Sequence, residues 1–417
     1  MGSKKFNNII KYIKKTDKPI ALVFGLGING LGVVRSLGRR GIPIIGLDPN
    51  PIQIGLFSRY CKGIVCPDPT KQEEEYVNLL LTLGEMMNTK GVIIQSEEAD
   101  ILTILKYKNR LSKYYRIPIA DFDIIEKLAD KGKFYKMLEK LGMAHPKTYF
   151  PSDISEVKKI SKKITYPYII KPVFSLEFSE EFNIKCFKAN CSEELIEAYS
   201  IAVSSGHEVI IQEVIPGSDT NLHLVNAYVN HASEPLGIFT FRRVRQYPHG
   251  FGNGTLCVSV WMPEIAELCT SFLKKIKYHG IIDAELKKDP RDNKFKFIEI
   301  NPRTGWQNRL AARCGVDLPY MAYMDAIEET VEKTISKREG VKWLYMFYDL
   351  MSSFESISKH ELTVIKWIDS LKGEKEYAIF VWDDPLPFFV SLFNLGFAVL
   401  RYSMRRSISY AKLVVRG

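Results

Sequence analysis

Apolar residues along the chain recur with two periods, and the switching between them marks out its elements. In residues 5–16 the apolar positions Phe6, Ile9, Ile10 and Ile13 fall on one helical face with lysines around the rest. That is a short basic amphipathic helix, suited to dock on a protein or on a membrane surface. Residues 19–48 read as a βαβ unit. Residues 20–24 are a continuous apolar strand, Gly25-Leu-Gly27-Ile-Asn-Gly30-Leu-Gly32 is a glycine-rich turn into a helix, and residues 43–47 are the next strand, closed by Asp48. The α/β rhythm continues over 64–118, where residues 91–95 form a strand and Ser96-Glu97-Glu98-Ala-Asp100 opens a helix with Ser96 as its cap.

A second block starts near residue 121. Asp130-Lys131-Gly-Lys133 leads a helical run over 134–141, which Gly142 stops. Tyr166-Pro-Tyr-Ile-Ile-Lys171-Pro172 is a β-prone run that ends in a lysine, an unusual place for a charge, since burying it requires an anionic partner. Residues 208–213 form a strand ahead of the Pro216-Gly217 turn and Asp219. Alternation over 221–240 predicts antiparallel strands and runs on through Arg242, Arg243 and Arg245, of which Arg243 and Arg245 share a face. Helices are expected over 263–278, 306–315 and 316–335. From Lys342 the composition turns aromatic, and the apolar run 385–400 is too short to span a bilayer as a straight helix.

Composition narrows the class. Apolar content of 46% and charged content of 25% over 417 residues fit a globular protein of two or three domains. The formal net charge of +10 sits at the ends: Lys4, Lys5, Lys11, Lys14, Lys15 and Lys18 at one, Arg401, Arg405, Arg406, Lys412 and Arg416 at the other. Such ends suit an anionic surface or plain solvation. No nucleic-acid partner is expected, because no recognised motif or aromatic-interleaved basic platform appears. The seven cysteines are scattered and odd in number, which fits reduced, mostly buried thiols. With no apolar leader visible, the expectation is a cytoplasmic protein, with the apolar-basic tail a candidate for peripheral contact on the cytoplasmic face of a membrane.

The densest chemistry lies in residues 280–305. The turn Asp289-Pro-Arg-Asp-Asn293 between two β-prone runs predicts a hairpin. One strand carries Glu285. The other carries Glu299 and Asn301, two apart and so on one face. Two carboxylates and an amide oxygen are hard ligands that suit Mg2+, with Mn2+ able to substitute. Arg303 follows, placed to reach a transferring phosphoryl group. Taken alone, the Glu-Ile-Asn triplet equally suits an exposed hairpin. The glycine-rich turn with Asp48 downstream matches a dinucleotide fingerprint, and equally a tight turn in any doubly wound domain.

Glu299-Ile-Asn-Pro-Arg303, followed by Leu310-Ala-Ala-Arg-Cys-Gly-Val-Asp-Leu-Pro319, resembles the metal-binding end of the ATP-grasp superfamily. It looks most like the carboxylate–amine ligase branch that includes D-aspartate ligase, and more distantly like the carbamoyl phosphate synthetase large chain. The resemblance implies a multidomain α/β and α+β chain. Residues 1–18 are a basic leading segment and 19–120 a Rossmann-like domain that usually holds no NAD. Residues 121–335 are a two-part ATP-grasp domain, with a lid at about 145–215 and a metal-binding part at about 216–335. Residues 336–417 form a helical or mixed tail.

It also implies roles. Lys131, which by residue type alone is a solvated surface lysine, and Lys171 would contact nucleotide phosphates. Gln212, Glu213, Val214 and Ile215 would face adenine, and Asp219 the ribose. Residues 173–182 would be a flexible loop over the phosphates, although it has no glycine; Lys185 or Lys188 could assist. Glu285, Glu299 and Asn301 would hold Mg2+. Arg303, with Arg243 and Arg245, would steady an acyl phosphate formed from ATP and a carboxylate, which an amine then displaces. Gly27, Asn29, Ser96 and Glu98, near the carboxyl ends of first-domain strands, are candidates for substrate contact. The other readings are a different ATP-grasp chemistry such as carboxylation or thioester formation, a nicotinamide oxidoreductase, and a non-catalytic nucleotide-binding scaffold. The tail packs on the protein, on a second copy as a homo-oligomer, or on lipid.

Overall fold

The computed structural model describes residues 3–396, the side chains of 3–6, 175 and 176 excepted. The basic cluster from Arg401 to Arg416 and the end of the apolar run lie outside the described residues. Among the described residues no helix is long and apolar enough to cross a membrane. The leading helix, Ser3–Lys14, docks on the protein: Ile9 and Ile13 are buried in the first-domain core, and the Tyr12 hydroxyl accepts from Ile44 N at 3.0 Å.

Three sheets organise the described residues. The first is parallel, with the order Lys62–Val65, Ile44–Asp48, Ala21–Phe24, Gly91–Ile94, Tyr115–Arg116. Its three central strands are buried along their whole length, which is why they read as unbroken apolar runs. Strand order reverses between Ala21–Phe24 and Gly91–Ile94, so the Gly25 turn and the Ser96 loop share the crevice at their carboxyl ends. Gly25 holds a φ of +59°, and a Cβ on Gly30 would strike the Gly25 carbonyl, so both glycines are required by the turn.

The second sheet is antiparallel, with the order Thr148–Tyr149, Val209–Glu213, Tyr168–Pro172, Phe187–Ala189, and it covers the stretch expected to be a lid. The loop expected over 173–182 is instead a helix, Ser175–Phe182. Phe178 and Phe182 stand one turn apart on one face and bring their rings to 4.7 Å, with Phe187 and His207 each 5.2 Å from Phe178. Their burial supplies what a glycine-rich loop lacks, and Asn183, at φ 56°, ends the helix.

The third sheet is the largest and runs Phe295–Asn301, Gly280–Lys288, Leu222–Val229, Pro235–Tyr247, Asn253–Ser259, Lys342–Leu344, Lys375–Tyr377, with Thr334–Ile335 beside Pro235–Tyr247. The aromatic segment after residue 342 therefore extends this sheet. Helix does not persist across 316–335: Leu318–Ala326 ends ahead of Glu328, which takes a positive φ of 66°, and Thr334–Ile335 pairs as strand.

Residues 376–384 are tied to the first domain by buried charge. Arg35, fully buried, donates to Asp384 Oδ2 at 2.9 Å, to the Asp384 carbonyl at 2.8 Å and to the Ile379 carbonyl at 2.6 Å. Ser58 Oγ and Arg59 N donate to the same carboxylate. Asp383 forms a two-point pair with Arg39 in a more exposed position. Asp384→Ala, which leaves the Arg35 charge buried and unpaired, should cost about 3–5 kcal/mol of stability. Asp383→Ala should cost about 1 kcal/mol or less. Urea midpoints of the two variants check the contrast, and equal losses would contradict it.

Candidate functional site

The hairpin forms as its turn chemistry dictates. Asp289 accepts from Arg291 and from Lys296 Nζ (2.6 Å), its backbone pairs with Lys294, and Asn293 takes the positive φ of 59° that the reversal needs. The register then sets Glu285 directly across from Glu299 and Asp283 directly across from Asn301. Residues two apart share a face and cross-strand partners sit side by side. The four side chains therefore form one block of oxygen-bearing groups.

Cations converge on this block from every neighbouring element. Lys131 opens the helix Lys131–Lys140, whose start is fixed by Asp130 accepting from Lys133 N at 2.9 Å. Its Nζ lies 3.7 Å from Glu299 Oε1, and the residue is buried, against the surface position its type suggests. Arg243, on the strand Pro235–Tyr247, pairs with Glu285 and also donates to Gln246 Oε1 at 3.0 Å. Lys171 and Lys185 come from the lid, and Lys185 Nζ donates to Asn253 Oδ1 at 2.9 Å. Lys188, the alternative on the lid, is exposed on the strand Phe187–Ala189. Arg303 donates to the Thr304 carbonyl at 3.0 Å, with Asn301 Oδ1 at 3.4 Å.

The charges act on one another. Burial works to raise the Glu299 carboxyl, but Lys131, Lys171, Lys185 and Arg303 outweigh it and hold it below the usual carboxylate range. Burial and the adjacent Glu285 push Asp283 up to about 7, against Arg303, Arg243 and a 2.7 Å hydrogen bond from Asn226. Burial lowers Lys131, which Glu299 opposes. Burial also raises Glu98, opposed first by Arg303 and Lys131, so this first-domain carboxylate faces the same block.

Two features bear on what the block could hold. The Nε–H groups of Arg243 and of Arg303 are buried with no hydrogen-bond partner, an arrangement that is costly unless a ligand satisfies it. Glu285 and Glu299, set directly across from one another, repel; among the described residues no three acidic, histidine or cysteine side chains gather closely enough to hold a metal by themselves, and Mg2+ needs only one or two carboxylates beside water and phosphate. Asp283 was not anticipated. The spacing rule that pairs Glu299 with Asn301 also pairs Glu285 with Asp283.

The hinge residues are partly committed elsewhere. The Gln212 amide lies between Tyr135 Oη (3.3 Å) and Thr148 Oγ1 (2.9 Å), and Glu213 pairs with Arg291 at 3.1 Å. Val214 N donates to the Pro167 carbonyl, and the Ile215 carbonyl accepts from Lys287 Nζ at 2.8 Å. Asp219 accepts from Gln246 Nε2 at 2.8 Å and faces Arg243 and His249.

Three expected site residues are placed otherwise. Arg245 is locked to Asp349 by two hydrogen bonds of 2.8 and 2.9 Å and to Ser370 Oγ at 2.8 Å. A bulge between Arg243 and Arg245 breaks the alternation that would have put them on one face. Asn29 and Ser96 are a clasp between the first domain and the large sheet. Asn29 Nδ2 donates to the carbonyls of Ser96 (2.5 Å) and Thr304 (2.7 Å), its Oδ1 accepts from Thr304 Oγ1 and Asn308 Nδ2, and Ser96 Oγ bridges to the Phe24 backbone. Both are consumed. Gly27 lines an apolar cavity that no charged side chain lines among the described residues, and Asp48 is spent on Leu26 N and Asn50 N. Neither arrangement suits the pyrophosphate and ribose of a dinucleotide.

No family model matches the chain. It is 27% identical over 251 residues to D-aspartate ligase of Enterococcus faecium (strain Aus0004), covering 57% of this chain and 60% of that protein. It is 25% identical over 317 residues to the carbamoyl phosphate synthase large chain of Pyrococcus furiosus, covering 72% of this chain and 28% of that protein. The matched region thus spans less than two thirds of the length of either relative, 60% of the first and 28% of the second. Among solved structures it is similar to the biotin carboxylase domain of 2-oxoglutarate carboxylase from Hydrogenobacter thermophilus, solved with MgADP and bicarbonate. The TM-score is 0.59 and the identity 17%, over 78% of this chain and 73% of that one. The fold is that of the ATP-grasp enzymes.

Asp283 titrates high in the folded chain, so the fold holds its proton where the unfolded chain has lost it. Stability should therefore fall as pH rises from about 4 through about 7, by on the order of 1–3 kcal/mol. Asp283→Asn should remove that fall, raising the thermal midpoint of the ligand-free protein at pH 8 and changing it little at pH 4. A midpoint difference that does not depend on pH would contradict the assignment.

Proposed function

We propose that the chain is an ATP-dependent ligase that joins a carboxylate to an amine through an acyl phosphate, releasing ADP and phosphate. One observation carries the reading: the hairpin block of Glu285, Glu299 and Asn301 faces Lys131, Lys171, Lys185, Arg243 and Arg303, two of them with an unpartnered buried donor. The similarity to D-aspartate ligase supports the reaction class.

The proposed domain division follows the sheets. A Rossmann-like first domain carries the clasp, the lid and large sheet hold ATP between them, and the segment after 336 completes the large sheet. In this reading the backbone of 212–215 lies along the adenine and Asp219 faces the ribose. Lys131 and Lys171 bind phosphate oxygens as point charges. Glu285, Glu299 and Asn301 would hold Mg2+, or Mn2+ on the same donors. The bound cation would neutralise charge that develops on the phosphates. An oxygen of the substrate carboxylate attacks the γ-phosphorus, the bond to ADP breaks, and Arg303 with Arg243 stabilises the negative charge on the acyl phosphate. The amine nitrogen then attacks the acyl carbon, the bond to phosphate breaks, and an amide remains. Glu98, facing Arg303 from the first domain, is placed to hold the amine.

Such a protein works where ATP is available, in the cytoplasm, and its seven free cysteines agree with that. Phe354, Ile365, Trp382 and Phe389 are exposed apolar side chains ahead of the basic end. Self-association or peripheral contact with a membrane is proposed for this exposed apolar surface.

Phosphate release from ATP should require Mg2+ together with a carboxylate and an amine. Glu299→Gln and Arg303→Met should each lower it by roughly 100-fold or more, with Arg303→Met still stabilised thermally by ADP and Mg2+. Unchanged turnover in Glu299→Gln, or a wild-type protein that binds no ATP, would sink the reading.

A further inference from the structure

Between the glycine-rich turn and the aromatic segment after residue 342 lies a cavity of about 580 Å³. Its walls include Ile28, Trp306, Tyr345, Phe347, Phe380 and Phe388. The volume is that of a small-molecule site, but a lining so free of charge does not serve the phosphates of a nucleotide.

The cavity is open to solvent on one side, and its walls are framed by buried ion pairs. Arg245–Asp349 fixes the helix that bears Tyr348, Arg309–Glu376 fixes the strand ahead of Ile379, and Arg35–Asp384 fixes the stretch between Phe380 and Phe388. Each pair joins the lining to a different part of the molecule. The walls are therefore held apart by geometry that the cavity does not itself supply.

Chain connectivity links one wall of the cavity to the charged block. Gly305 lies so close to Asp283 that a Cβ there would stand 2.7 Å from the Asp283 carboxyl carbon, and the next residue, Trp306, is cavity wall. Arg303 precedes that wall by three residues. Tyr247, at the end of the strand that carries Arg243, packs on Tyr348 with ring centroids 5.5 Å apart.

We infer that the cavity receives the apolar group of the carboxylate substrate, an aromatic ring or an acyl chain, while its carboxyl group meets Arg303. The inference rests on the ligase reading for the reaction and on the cavity for the substrate class. Apolar burial then discriminates among acids, by roughly fourfold in kcat/KM per methylene that enters the cavity.

The test titrates acetate, octanoate and 2-naphthoate calorimetrically into the full chain without ATP, then measures phosphate release with the same acids and an amine panel. Octanoate or 2-naphthoate should bind at least tenfold tighter than acetate, and whichever binds better separates chain from ring. Leu392→Trp, which narrows the cavity from a half-exposed position on helix 386–396, should weaken both at least tenfold. Its thermal transition, and its stabilisation by MgADP, report whether it folds; Phe354→Ser, on the exposed apolar surface, should bind as the wild type does. Apolar acids that bind no tighter than acetate, or that ignore Leu392→Trp in a folded variant, overturn the inference. Phosphate release that is flat across acid size overturns it while the ligase reading stands. Binding sensitive to Leu392→Trp with no phosphate release from any acid supports the cavity and removes the ligase reading.

Discussion

Like charges set directly across an antiparallel pair destabilise it, yet Glu285 and Glu299 face one another across the hairpin with Asp283 beside them. Much of the molecule is an answer to that repulsion. Lys131 arrives because a capped helix starts where it does. Lys171 arrives because a lid strand ends in a charge, and Arg243 because a strand of the large sheet stays in register up to a bulge. The residual tension shows in Asp283, pushed to about 7, and in two arginine donors left without partners. A structural ion-pair cluster would close its hydrogen bonds. Here two arginine Nε–H groups stay without a partner, which is what the proposed anion would satisfy.

Rigid attachment of the first domain follows from a second group of buried contacts. Asn29 spends its side chain on Ser96, Thr304 and Asn308, and so joins the glycine-rich turn to the residues just after Arg303. Arg35 and Asp384 do the same for the far side of the domain. Glu98 is thereby carried to the charged block, and the apolar cavity keeps its width. The glycine-rich turn that looks like a phosphate cradle is instead bonded to the large sheet through Asn29, with Asp48 accepting from Leu26 N inside it.

Elements that depend on local pattern were legible from the sequence. The buried parallel strands, the hairpin, the Lys131 helix and the strand ending in Lys171 all appear where periodicity and turn residues put them. What was not legible depended on distant partners. Arg243 and Arg245 look equivalent by alternation, and only a bulge and the remote Asp349 separate them. Residues 173–182 lack the glycines of a loop, and the aromatic contacts that make them a helix come partly from Phe187 and His207 beyond the segment. Asn29 and Ser96 carry the residue types of a ligand site, but their partners lie hundreds of residues away or across the sheet. Asp283 was within reach of the spacing argument already applied to its neighbours.

The central claim is that a substrate carboxylate takes the γ-phosphoryl group before an amine displaces it. Its most direct test is the fate of oxygen. The acid that supports phosphate release would be supplied with both carboxyl oxygens as 18O, and the phosphate analysed by mass spectrometry after one turnover with ATP, Mg2+ and the amine. The account predicts one 18O in each phosphate released, because the acyl–oxygen bond breaks when the amide forms. Phosphate without label, accompanied by ADP, would mean that water and not the carboxylate accepts the phosphoryl group, and would contradict the account.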